Sequence, residues 1–174
     1  MPGSKSWDSS IPRIATLVRL TSTTDPSRKL VVINTHLDHE GAASRRMAAL
    51  LLLQHVQDEQ QAGSTVLLVG DFNDGPSSPT YADLLAQGRL VDAFNASIAL
   101  PVGPAATFPG FFNQVRDAER IDHVLFAPGT AVPLLATVLA IDADTQLSLP
   151  SDHRPVLVDF LFSMMRIDAQ SSAG

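Results

Sequence analysis

Apolar residues along this chain fall into short runs with two different periods. Val66, Leu67, Leu68 and Val69 form a continuous apolar run stopped by Gly70 and a polar turn. Such a run suits a strand covered on both faces, as in a parallel sheet. Leu30 to Asn34 repeats the pattern and leads into Thr35, His36, Leu37, Asp38 and His39. Between the two runs, roughly Ala42 to Gln60 is rich in Ala, Leu, Met, Gln and Arg, which predicts a helix. Its expected apolar stripe is Met47, Leu50, Leu51 and Val56, with Arg45, Arg46, Gln57 and Asp58 on the polar side. Strand, helix and strand with short connections make a βαβ unit, which requires parallel strands and a right-handed crossover. The spatial consequence is that Asn34 and His36 leave one strand, and Asp71 and Asn73 the next, at the same edge of the sheet.

The remaining pattern extends the sheet. Arg13 to Leu20 reads as a strand joined to the next by a hairpin connection with an Asp25-Pro26 turn. Pro79 to Gln87 predicts a short helix, and Leu90 to Gly110 reads as mostly irregular, the kind of loop that rims a site. Arg120 to Phe126 is a strand, Ala131 to Ile141 a further apolar segment, and Leu149 to Phe162 a polar turn followed by a last strand. Residues 1–12 read as loop, with Trp7 as a packing residue, and residues 166–174 as a disordered tail. One domain over residues 13–165 lies between them.

Composition narrows the chemistry. With 174 residues and 45% hydrophobic content, the chain can bury a real core. The absence of cysteine excludes disulfides and thiolate metal sites. No apolar run reaches the ~20 residues of a spanning helix, and the opening MPGSKSWDSS lacks a signal-peptide core. Compartment and oligomeric state stay open. The net charge of −6 provides no general attraction to nucleic acid or anionic membranes. It favours a small or locally bound substrate, and no basic patch interleaved with aromatics points to a nucleic-acid-binding domain.

Several polar residues sit where chemistry is built. Asp71 and Asn73 are one residue apart at a strand end, with Phe72 turned the other way, so both can address one ligand or water; Asp, Asn and Gly also simply end strands. Asp122 falls in phase with Val124 and Phe126, on what reads as the buried face, while His123 goes with Ile121 and Leu125. A carboxylate on such a face needs a partner. Asp152 and His153, before Pro155 at the start of the last strand, offer one. If Asp122 meets His153 it holds the imidazole in one tautomer and favours its protonated form, leaving Asp152 for a metal. His36 suits a phosphate contact or proton donation. Asp38, His39 and His55 read as surface or supporting positions, Arg45 as part of a solvated helix face or, one turn into the helix, as able to orient Asp38 or a phosphate, and Asp92 as ordering a loop. There is no Gly-x-Ser-x-Gly elbow, no Gly-rich phosphate loop with Lys and no His-Glu-x-x-His motif. Hard oxygen donors, amides and imidazoles remain, a set suited to Mg²⁺ or Mn²⁺ and a water nucleophile acting on a phosphoester.

Four segments in order, INTHLDH, LLVGDFN, RIDHVLF and LPSDHRPV, resemble the signatures of the endonuclease/exonuclease/phosphatase superfamily. SWDSSIPRIATLVRL and TFPGF (Thr107 to Phe111) resemble the family's preceding strand and the loop before RIDHV, so the likeness runs from about Ser6 to Phe162. It implies an α/β fold of the DNase I type: the C-terminal portion of a four-layer α/β sandwich, two mixed β-sheets flanked by helices. It implies Mg²⁺-dependent hydrolysis of a phosphoester by activated water. Asp71 would orient or deprotonate the water, and Asn73 would hold the water or a phosphate oxygen. His153 paired with Asp122 would stabilise phosphoryl charge or act as acid or base. Asp152 would contact the metal, and His36 and Asn34 would line the phosphate site.

The departures matter as well. The family's first half supplies a strand ending in Asn and another ending in Gln-Glu, whose Glu is a principal metal ligand. The only glutamates here are Glu40, Glu59 and Glu119, none at the end of an apolar strand. The chain therefore resembles the carboxyl-terminal part of the domain, and on its own is expected to bind Mg²⁺ weakly, to turn over little and to leave apolar surface uncovered. Position 123, often aromatic in the family, is His here. The alternative to a hydrolase is a remnant whose site residues serve a binding or interaction module. The loops Asp74 to Pro79 and Ala93 to Arg120 carry little positive charge, which favours a small-molecule phosphoester over long nucleic acid.

Overall fold

The βαβ expectation holds, and the rest of the fold is arranged about it. The computed structural model describes residues 4–110, 119–140 and 150–162; the expected tail at 166–174 lies outside them. Strands β1 (Ala15–Thr21), β2 (Lys29–His36), β3 (Thr65–Asp71), β4 (Val91–Asp92) and β5 (Asp122–Phe126) form one sheet in the order β1-β2-β3-β5-β4. β2 and β3 are parallel and joined by α1 (Ala42–Gln61), while the other neighbours run antiparallel. β6 (Ala131–Val138) and β7 (Val156–Phe162) form a two-stranded antiparallel sheet.

The main sheet has two unlike faces. On one, Val31, Ile33, Val66, Leu68 and Leu125 pack against α1 and against α2 (Pro79–Leu85). On the other, Leu67, Val69, Val124 and Phe126 meet Val158 and Phe160 of β7. That second cover stops short of β1, where Val18 and Leu20 are exposed.

Helix α1 forms where expected, but its phase differs. Met47, Leu50 and Leu51 are exposed, whereas Ala49, Leu52, Leu53 and Val56 are buried. Four consecutive leucines, Leu50 to Leu53, present apolar groups around the whole helix, so the run cannot choose a face. Ala49, Leu52, Leu53 and Val56 follow the i, i+3, i+4, i+7 spacing of a single stripe. Leu90 to Asn95 is also more regular than expected. Asp92 caps the one-turn helix α3 (Ala93–Ala96) by accepting from Phe94 N at 2.8 Å. Trp7 is half-exposed with φ 56°, a turn residue rather than a packing one.

Candidate active site

The parallel register between β2 and β3 pairs His36 with Asp71, and the antiparallel register between β3 and β5 pairs Asp71 with Asp122. The three residues therefore stand in a row across three strands on one face of the sheet. Gly70 makes the close approach possible. Its φ is +133°, and a Cβ there would lie 1.9 Å from the Thr35 carbonyl oxygen. Beyond the strand ends the row is tied by Leu37 N donating to Asp71 O and Phe72 N donating to Ile121 O, both at 2.9 Å. Phe72 turns to the opposite face and is buried in the helix-side core, as expected.

His153 completes the cluster from the turn before β7. Its Nδ1 donates to Asp122 Oδ2 at 2.8 Å, and its Nε2 lies 3.7 Å from Asp71 Oδ2. His36 Nε2 lies 3.3 Å from the same Asp71 oxygen. The loop containing Thr107 and Phe108 holds His153 in place. Thr107 Oγ1 accepts from Ile121 N and Asp122 N at 3.1 Å, and Thr107 O accepts from Arg154 N at 2.7 Å. The Phe108 ring lies against the His153 ring, with centroids 4.7 Å apart. Thr107 and Phe108 carry no chemical signal of their own in the sequence; the TFPGF motif is what marks them.

Asp71 and Asp122 are like charges side by side, and their electrostatics follow from that. Burial pushes the Asp71 carboxyl above the usual range. The Asn73 amide opposes this, the Asp122 charge adds to it, and His36 and His153 pull it back only in part. Burial disfavours charge on His153, but the hydrogen bond and charge of Asp122, with Asp71 and Asp152, outweigh it and raise its pKa. Asp122 thus acts on His153 as the sequence suggests, fixing the tautomer and favouring the imidazolium.

The other expected site residues fall nearby in different roles. Asn73 adopts φ 50°, donates its backbone N–H to Asp71 Oδ1 at 2.8 Å and its Nδ2 to Leu37 O at 2.9 Å. It locks the ends of β2 and β3 together. Asn34 is exposed on the same face as His36, two residues up the strand. Asp152 accepts from Gly110 N through its carbonyl at 3.1 Å. The three groups that converge within 4.8 Å of one another among the described residues are Asp71, Asp122 and His153. Two carboxylates and an imidazole at that spacing fit a hard divalent cation.

A profile of the Endonuclease/Exonuclease/phosphatase family matches residues 5–153. The chain belongs to that family. It is 40% identical to rat (Rattus norvegicus) 2',5'-phosphodiesterase 12 over 80% of its length, but spans only 27% of that protein. Its fold matches an endonuclease/exonuclease/phosphatase from Bacteroides vulgatus at TM-score 0.81 and 26% identity, covering 92% of this chain and 59% of the other. A mannosyl-6-phosphatase from Bacteroides thetaiotaomicron matches at TM-score 0.81 and 25% identity, with 91% and 61% covered. The chain thus spans about a quarter of the curated relative and three-fifths of the solved folds. The family explains why the His36–Asp71–Asp122 row coincides with the motifs INTHLDH, LLVGDFN and RIDHVLF.

The structure chooses between the readings open for Asp38 and Arg45 and corrects the one for Asp122. Asp38 takes the supporting of its two expected places: it is fully buried and accepts from Ser9 Oγ, Ser10 N and Gly41 N at 2.8–3.0 Å. Burial opposes its charge, but these donors hold its carboxyl well below the usual range. Arg45 lies off the solvated face and holds Asp38: its side chain is 12% exposed and bonds Asp38 O at 2.9 Å and Asp74 Oδ2 at 2.7 Å. The deeper face of β5 belongs to His123 and Leu125, not to Asp122, because α2 covers that side.

Proposed function

We propose that the Asp71–Asp122–His153 cluster is the reacting end of a divalent-metal-dependent phosphoester hydrolase, and that a small-molecule phosphoester is its substrate. The observation that carries this reading is the adjacency of the Asp71 and Asp122 carboxylates with the His153 ring against both. Two partly buried carboxylates side by side, with His153 against both, are a cost that a bound cation relieves. Asp71 and Asp122 would hold Mg²⁺ or Mn²⁺ through carboxylate oxygens, with Asp152 close enough in sequence to assist. A bound divalent cation lowers the pKa of water and neutralises phosphoryl charge.

The chain's own residues define the rest. Asp71, its carboxylate pinned by Asn73 N, is placed to orient a water or take its proton. His153 is fixed through Nδ1 by Asp122, and in the charged form that Asp122 favours it would present Nε2–H to a phosphoryl oxygen. His36, mostly exposed, faces Asp71 from the other flank and can contact a phosphate together with Asn34. The phosphodiesterase and phosphatase relatives support the reaction class; the mannosyl-6-phosphatase supports a small substrate.

The test is turnover of bis(4-nitrophenyl) phosphate and 4-nitrophenyl phosphate with Mn²⁺ or Mg²⁺. The expected result is slow, EDTA-sensitive release that falls ~10²–10⁴-fold in Asp71→Ala and in His153→Ala. Release unaffected by both substitutions, or none with either metal, contradicts the proposal and favours a binding module.

A further inference from the structure

We propose that Asp74, held by His123 and Arg45, is the positioning residue that fixes the Asp71 carboxylate, and this rests on reading Asp71 as part of the hydrolytic site. Asp74 follows the Asp71–Phe72–Asn73 turn and is gripped at two points. Its carbonyl accepts from His123 Nε2 at 2.9 Å, and its Oδ2 accepts from Arg45 Nε at 2.7 Å. Both donors reach it from the helix side of the sheet, the face opposite the reacting groups.

His123 is well suited to this task. It is 1% exposed, and its ring packs between Phe72 and Tyr81, with centroids 5.1 Å from each. Arg120 Nη1 lies 2.9 Å from Nδ1 and can only donate, so Nδ1 accepts and the ring proton sits on Nε2, aimed at the Asp74 carbonyl. Arg120 is held in turn by Asp92 Oδ2 at 2.7 Å, which also accepts from Tyr81 Oη at 2.6 Å. The chain of bonds thus runs from a rigid buried network, through His123, to the backbone one residue beyond Asn73. Arg45 carries the same loop to the other strand, because its Nη1 bonds Asp38 O just past β2. A phenylalanine at 123 would keep the ring packing and lose both hydrogen bonds.

The hold on Asp71 is directly readable, because the Asn73 N–H is bonded to Asp71 Oδ1 at 2.8 Å. Amide hydrogen exchange at Asn73 is measured by NMR in the wild-type chain and in His123→Phe, Arg45→Gln and His123→Gln, with Leu67 to Val69 in β3 as reference. The expected result is about tenfold faster exchange at Asn73 in His123→Phe and Arg45→Gln, and little change in β3. His123→Gln, which retains an N–H donor, should recover part of the protection. Turnover of bis(4-nitrophenyl) phosphate should fall with Asn73 protection in kcat, with KM within about twofold. Unchanged Asn73 exchange, or acceleration equal to that of β3, overturns the proposal; Arg45→Gln keeps it testable if His123→Phe does not fold. Selective Asn73 loosening in a chain that shows no turnover would sustain the positioning role and count against the hydrolase reading instead.

Discussion

The two faces of the central sheet each carry an Asp–His cluster, and the clusters are built in opposite ways. On the helix side, Asp92 accepts from Tyr81 and Arg120, and Arg120 bonds His123. Burial opposes charge on Asp92, yet its donors hold the carboxyl well below the usual range. On the other side, Asp71 lies against Asp122, its pKa is raised, and the cluster reaches solvent through His36 and His153. The first cluster is satisfied internally and serves the fold. The second has surplus negative charge and unused ligand capacity, which is what a binding site requires.

The comparison can be broken most severely on the helix side. Arg120→Met strands the buried Asp92 carboxylate, and a stability loss of ~3–5 kcal/mol is expected in urea denaturation. A loss below ~1 kcal/mol would mean that the network is not structural. Leu53→Ala in the adjacent core should cost ~2–5 kcal/mol, against at most ~0.5 kcal/mol for Leu50→Ala. Equal effects would reject the observed phase of α1. On the other face, Asp71→Asn removes a repulsive charge, so stability should stay within ~1 kcal/mol of wild type, on the stabilising side. A large loss there would make Asp71 structural after all.

The smallest effect concerns pH. His153 has a raised pKa in the folded chain, so its bond to Asp122 contributes fully below its unfolded value of about 6.5 and is lost as pH rises through the folded value. The raised pKa of Asp71 acts in the same direction. Asp122→Asn should therefore lower the His153 midpoint, followed by NMR of its ring, and shrink the stability difference between about pH 5.5 and pH 8.5. An unchanged midpoint would show that the two side chains do not pair in solution.

Much of the reacting face was legible, because strand period and βαβ topology alone place His36, Asn34, Asp71 and Asn73 at one edge. The meeting of Asp122 with His153 was legible only as a conditional pairing, and its premise of a buried Asp122 was off by one residue, because His123 and Leu125 take the deeper face. The phase of α1 was not, since four adjacent leucines erase the periodic signal. The bond of Arg45 to Asp38 was among the readings open to it, but its bond to Asp74 was not, since that depends on loops brought together only in three dimensions. His123 read as a tolerated departure from an aromatic position, because nothing local shows that Arg120 and the Asp74 carbonyl lie on either side of its ring.

The central claim, that Asp71 and Asp122 hold a hard divalent cation beside His153, is tested most directly by titrating trace Mn²⁺ into the ¹⁵N-labelled chain. Paramagnetic broadening is read even when binding is weak. Selective loss of the amide signals of His36, Asp71, Asp122 and His153, abolished by Asp71→Ala, is the predicted result. Broadening centred elsewhere, or unchanged in Asp71→Ala, would contradict it.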